Sequence, residues 1–235
     1  MDTQTRHALK GDKFAQATKT SVTWVSGHRS GVLRWAIGAA VVLVLGVASL
    51  IFWNVRSASA DTALGEALDT YSASLAQPGA PPQKGVSATS AERSKAANQQ
   101  FTAVAKQFGW LPAGAKAHYF AGVTDQELGQ TAAAENELKT AADSWDHNLS
   151  NLAKVALASH YHQTGRDAQA IDLYNAIIAK PSETVSVGVA QLNLADLYMA
   201  TGKQDQARAI WAKLKDSDKE GAAGSIAAQK LAGGQ

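Results

Sequence analysis

The sequence predicts an all-α chain: a single N-terminal transmembrane helix followed by an α-solenoid of about nine helices. Three observations carry this. The 235 residues include one long apolar run, WAIGAAVVLVLGVASLIFWNV, with no charged residue between Arg34 and Arg56. Beyond it, apolar residues recur three and four positions apart in a background of Ala, Gln, Leu and Lys, which is helical periodicity. Short turns centred on Gly129, Gly165 and Gly202 then repeat at intervals of 36 and 37 residues, as stacked units do.

The N-terminal element is a basic arm over 1–34, which carries a net charge of +4; residues 57–235 carry −3. The basic character of the chain therefore resides in one short arm. The mildly acidic remainder is a poor match for nucleic acid. No cysteine is present, which excludes disulfides, thiolate metal sites and cysteine catalysis.

The next element is the membrane segment, 35–55. Trp35 to Trp53 spans 19 residues, about 27 Å of helix, against a hydrocarbon core of about 30 Å. Trp35 and Trp53 stand at the positions of an aromatic belt, with Arg34 and Arg56 able to snorkel at the two ends. Ala58-Ser59-Ala60 resembles a signal-peptide cleavage site, but the apolar run is longer than a typical leader core and the arm before it is long. Lys19, Arg29 and Arg34 precede the helix and only Arg56 follows it closely. The positive-inside rule then keeps the N-terminus in the cytoplasm and puts 57–235 across the membrane, in the periplasm of a Gram-negative bacterium.

The solenoid region opens with a stripe of Leu64, Leu68, Tyr71 and Leu75, spaced for one helix face. A Pro/Gly/Ser loop over 77–90 follows, with a minimal Pro78-x-x-Pro81 pattern that reads as plain loop. Ser90 followed by Glu92 marks a helix start, and Ala97, Phe101 and Val104 form its inner face. Around the three glycines the units align residue by residue. Gly122, Ala158 and Ala195 lie seven positions upstream; Ala134, Ala170 and Ala207 lie five downstream; Leu138, Tyr174 and Trp211 lie nine downstream. Small residues let two helices approach, and the large ones fill the gap. Tyr161 and Tyr198 precede the second and third turns by four, where the first unit departs with Asp125. Pro181 ends the second unit. A last helix after Asp218, with Ile226 and Leu231 inward, would cap the array.

These positions resemble the tetratricopeptide repeat (TPR) family, most closely in the last two units. That resemblance implies a concave groove lined by the first helix of each pair: Tyr119, Val123 and Gln126, then Val155, Ser159 and His162, then Leu192, Asp196 and Met199. The set is mixed and rather apolar. It lacks the Lys/Asn cluster with which some TPR domains clamp a carboxylate, so extended or amphipathic protein segments are its natural ligands.

No catalytic pattern emerges, and no cofactor or metal is expected. No GxGxxG, GxSxG or P-loop occurs. His160 and His162, like Glu135 and Glu137, are two residues apart on a helix and point to opposite sides. Asn148-Leu149-Ser150 matches a glycosylation triplet, a pattern common by chance. Trp110, before Pro112, is expected to plug a helix end, and Trp145 to pack late in a helix.

A basic arm, one apolar helix and a degenerate helical-pair array, with ALDTYSASLA after the membrane segment, resemble the YfgM family in order and extent. That resemblance implies a non-enzymatic accessory of the SecYEG translocon, working with a PpiD-type periplasmic foldase on client polypeptides. The alternative is a scaffold for another envelope machine, in cell-wall synthesis, outer-membrane assembly or pilus formation, because fold alone does not choose among partners.

Overall fold

The computed structural model describes residues 29–76, 87 and 89–233. Residues 1–28 of the basic arm and most of the 77–90 loop, including Pro78 and Pro81, lie outside the described residues. The chain divides into two units, 1–56 and 57–235.

The described part of the first unit belongs to helix α1 (Arg29–Ser72). From Leu33 to Val55 every side chain is exposed, on all faces of the helix. This stretch is long and apolar enough to cross a membrane. Leu64, Leu68 and Tyr71 of the predicted stripe continue on the same helix, which no proline interrupts, whereas Leu75 lies past its end and is 40% exposed.

The second unit contains the end of α1 and eight further helices among the described residues: α2 (Ser90–Phe108), α3 (Pro112–Glu127), α4 (Thr131–Ala142), α5 (His147–Gln163), α6 (Asp167–Ala179), α7 (Val187–Ala200), α8 (Gln204–Ser217) and α9 (Ala222–Gly233). From α2 onward each helix packs on its successor, and α3 also meets α5 as α7 meets α9. The fold is all-α, a solenoid-like array of sequentially packed helices.

Local signals fix the boundaries. Thr89 caps α2 through a capping box with Glu92, satisfying backbone donors that the first turn leaves orphaned. Pro112 opens α3 where no intrahelical N–H is needed. Asp146 and Ser186 cap α5 and α7 through their side chains.

The three glycine turns are built alike. Gly129, Gly165 and Gly202 have φ of 70°, 75° and 75°. In each, the residue after the glycine donates to a carbonyl five back: Gln130 to Asp125 (2.8 Å), Arg166 to Tyr161 (2.7 Å) and Lys203 to Tyr198 (2.8 Å). This left-handed reversal closes the helix end and returns the chain antiparallel, a geometry that favours glycine. Thr164 and Thr201 add hydroxyl bonds to the last carbonyls of α5 and α7. Arg166 and Lys203 lie over the rings of Tyr161 and Tyr198.

The aligned small residues are all buried: Ala158, Ala195, Ala134, Ala170 and Ala207 are fully covered, and Gly122 is buried too. Leu138, Tyr174 and Trp211 are buried nine positions after the turns. A Cβ on Gly122 would stand 2.6 Å from Leu138 Cγ, so here the glycine gives the two helices their approach.

The first repeat's departure at Asp125 has a structural answer. Asp125 is buried, and Asn98 of α2 donates to its Oδ1 (2.7 Å) and to Thr124 Oγ1 (3.0 Å). Burial raises the Asp125 carboxyl above its ordinary value, and the Asn98 bond works against that rise. The end of α1 is tied in the same region. Tyr71 donates to one Glu127 oxygen and Ser94 to the other, both at 2.5 Å, while Arg93 donates to the Ala73 carbonyl. Burial and the Glu127 carboxylate push Tyr71 up to about 12.

Three expectations are corrected. Ile226 is 41% exposed instead of inward. Gly224 and Ala227 take the inner positions of α9, because the chain there runs against Asp218: a Cβ on Gly224 would fall 2.0 Å from its carbonyl oxygen. Trp145 lies in the connection between α4 and α5 and is 79% exposed. The alanines Ala141, Ala142 and Ala153 close that interface without it. Trp110 is also exposed, and the buried neighbour Leu111 fills the helix end.

Candidate protein-binding groove

The nine groove candidates occupy equivalent positions on α3, α5 and α7, the first helix of each pair, and none is buried. Tyr119, Val123 and Val155 are half-buried against the core that joins α4 to α7, and Leu192 against the core of α7, α8 and α9. They are as much packing as surface. Gln126 reaches the next pair, its Nε2 donating to the Ala156 carbonyl (3.4 Å). Ser159, His162, Asp196 and Met199 are exposed. Two of these have side-chain partners: His162 Nδ1 is 2.6 Å from Asp167 Oδ1, and Asp196 accepts from Lys230 Nζ at 2.8 Å.

A cleft of about 570 Å³ opens beside the third pair. Asp196 and Met199 from α7 line it, with Arg208 and Trp211 from α8 and Ile226 and Lys230 from α9. Repeat register identifies the α7 members. It carries no signal for Arg208, on the second helix of the pair, or for Lys230, because the α9 cap has no counterpart in the repeat. Lys230 lies 5.8 Å from the Trp211 ring centroid while paired to Asp196. The cleft is thus lined by apolar Met199, Trp211 and Ile226 together with two cations and one carboxylate. It suits a segment that brings apolar side chains and acidic groups together. A second cleft, about 650 Å³, lies between the α6–α7 and α8–α9 connections and contains none of the nine candidates.

Charge between the first two pairs centres on Glu135 of α4. It meets Lys139 (2.6 Å) and Arg166 (2.8 Å), and these hydrogen bonds hold its carboxyl down at about 2. His160 is buried beneath this cluster, with Nε2 unpartnered, and burial lowers its pKa below the ordinary value. His162 on the same helix is exposed, so the two histidines do point apart. Among the described residues no three His, Asp or Glu side chains come together as a metal site would need.

Comparison with protein-family models, with curated proteins and with solved structures finds no significant match to this chain.

Proposed function

We propose that this chain is a non-enzymatic, membrane-tethered TPR-like protein that binds polypeptide segments along the first helices of its repeated pairs. Its basic arm would lie in the cytoplasm and 57–235 in the periplasm. The observation that carries the reading is the cleft beside the third pair, where apolar Met199 and Ile226 are flanked by Arg208, Lys230 and Asp196. Extended or amphipathic segments with acidic residues complement such a surface. Tethering by one apolar helix confines that surface to a thin layer, which raises its effective concentration near membrane partners. Modest affinity then suffices, and release stays fast.

The partner class rests on the order of arm, apolar helix and helical pairs, which resembles the YfgM family. On that basis the chain is an accessory of the Sec translocon that cooperates with periplasmic foldases on emerging clients. The test is binding of fluorescent acidic, apolar-rich peptides to the full chain in lipid nanodiscs. Met199→Asp with Ile226→Asp should weaken binding about tenfold, roughly 1.4 kcal/mol. Unchanged affinity in the double variant would overturn the cleft as the binding surface.

A further inference from the structure

The connections between helices fall on two edges of the second unit. Consecutive packed helices joined by short links run up and down in alternation. The glycine turns at 128–130, 164–166 and 201–203 therefore share one edge. The links at 109–111, 143–146, 180–186 and 218–221 share the other. Contacts agree with this. Asn148, at the start of α5, accepts from the Glu183 and Thr184 amides of the α6–α7 link (3.1 and 3.3 Å). Arg166 of one glycine turn pairs with Glu135, one turn into α4 after another.

The course of α1 fixes which edge receives the chain from the apolar segment. Tyr71, near the end of α1, bonds Glu127 at the last residue of α3, on the glycine-turn edge. Ser57 lies fourteen residues earlier, about 21 Å along the helix. Ser94 of α2 also bonds Glu127, and α2 ends fourteen residues later at Phe108. Ala60 belongs to the same buried cluster as Phe108, Leu111 and Ala113. Residue 57 thus enters the second unit at the edge that carries the longer links.

That edge also carries exposed apolar side chains. Trp110 is 53% exposed, Trp145 79%, and Val187 and Val189 about 40%. The glycine-turn links carry no exposed large apolar residue. Of the others beyond residue 57, Leu75 follows Tyr71 and Met199 precedes the 201–203 turn, both toward the glycine-turn edge, and Met199 and Ile226 line the cleft. The links of this edge carry Lys180 and Lys219 against Asp143, Asp146, Glu183, Asp218 and Glu220, a net negative balance, with Lys106 and Lys116 on the adjoining helices. Apolar and aromatic insertion, more than net charge, would drive contact there. Tryptophan suits this place, since its ring prefers the headgroup level, apolar body inward and N–H wet.

We infer that this edge is a lipid-facing surface on which Trp110 and Trp145 seat at the bilayer interface. The inference rests on the membrane-anchored reading of α1. The glycine turns lie on the opposite edge of the second unit.

The test uses the full chain, whose lack of cysteine permits single labels. An environment-sensitive fluorophore is placed at Lys116→Cys or Asp143→Cys on the proposed lipid edge, at Gln130→Cys or Gln169→Cys on the glycine-turn edge, and at Gly46→Cys within the apolar helix. Each variant is reconstituted in phosphatidylethanolamine/phosphatidylglycerol vesicles with and without lipids carrying a quencher. Labels at 116 and 143 should be quenched at least about twofold more than those at 130 and 169, as interfacial residues are. Trp110→Ser with Trp145→Ser should remove that difference and leave Gly46→Cys strongly quenched. Equal quenching at both edges with Gly46→Cys quenched overturns the lipid-facing edge alone. An unquenched Gly46→Cys label overturns the anchored reading and the edge with it. An edge difference that survives the double tryptophan substitution overturns the role of the tryptophans.

Discussion

Replacing Gly165 by Ala should destabilise the second unit, and replacing Gly65 by Ala should stabilise it. Gly165 has φ of 75°, and an added Cβ would meet nothing within 4 Å. The cost is therefore one of backbone conformation alone, about 1–2 kcal/mol for an L-residue held left-handed. The stiffer unfolded chain returns about 0.4–1 kcal/mol, leaving a net loss of about 1 kcal/mol. Gly65 also has open space around its Cβ but lies inside α1, about two turns before its end. There alanine gains about 0.5–1 kcal/mol. One chemical change thus has opposite signs at two glycines, and Gly129 and Gly202 should behave as Gly165 does. The assay is urea unfolding of the full chain in detergent, followed by far-UV circular dichroism. A Gly165→Ala variant as stable as the parent would refute the left-handed assignment of the turns, and a Gly65→Ala variant less stable than the parent would refute the open helical setting of Gly65.

Other perturbations report on packing and charge. Leu138→Ala should cost about 3–5 kcal/mol, because the facing Gly122 has no side chain to collapse into the hole; Leu138→Met, close in volume, should cost under about 1.5 kcal/mol in the same titration. Ala195→Trp should lower the thermal midpoint strongly, since Ala195 is fully buried in the core that holds Trp211, and an unchanged midpoint would show that the repeat register is wrong. His160 is buried neutral, facing Arg166, Glu135, Tyr161 and Thr131, with its pKa lowered first by burial and then by the Arg166 charge. The unfolded chain therefore binds its proton more readily, so this stability is complete above the ordinary value of 6.5 and is lost as pH falls toward the folded value. In His160→Leu, stability measured through that window should lose this component. Glu135 has the same sign in a lower window: its contribution is complete above the ordinary 4.5 and lost as pH falls to about 2, and Glu135→Gln should flatten that limb.

Most of the helical array was legible because repetition supplies its own control. Three glycines at nearly equal intervals, each with alanines and a large residue at fixed offsets, define a turn and an interface that one unit could not define. The apolar run was legible by length alone. What escaped was set by single contacts. Asn98 satisfies Asp125 from a helix outside the repeat register, so the first unit's core could not be read from the repeat. Trp145 looked like packing because tryptophan usually packs, yet Ala141, Ala142 and Ala153 already close that interface. Ile226 looked inward by its apolar character, but close approach of Gly224 to Asp218 turns the helix the other way. The cleft was half legible: register found Asp196 and Met199, and only the packing of α9 brings Lys230 and Ile226 to them.

The proposed role is that of a membrane-tethered helical array engaging polypeptides at the exit of a protein channel. Its most direct test is site-specific photo-crosslinking in intact native membranes, from a photoreactive residue at Met199, with mass spectrometry of the products. Recovery of SecY-type channel subunits and periplasmic foldases is the expected result. Recovery of cell-wall or outer-membrane machinery without the channel would contradict it.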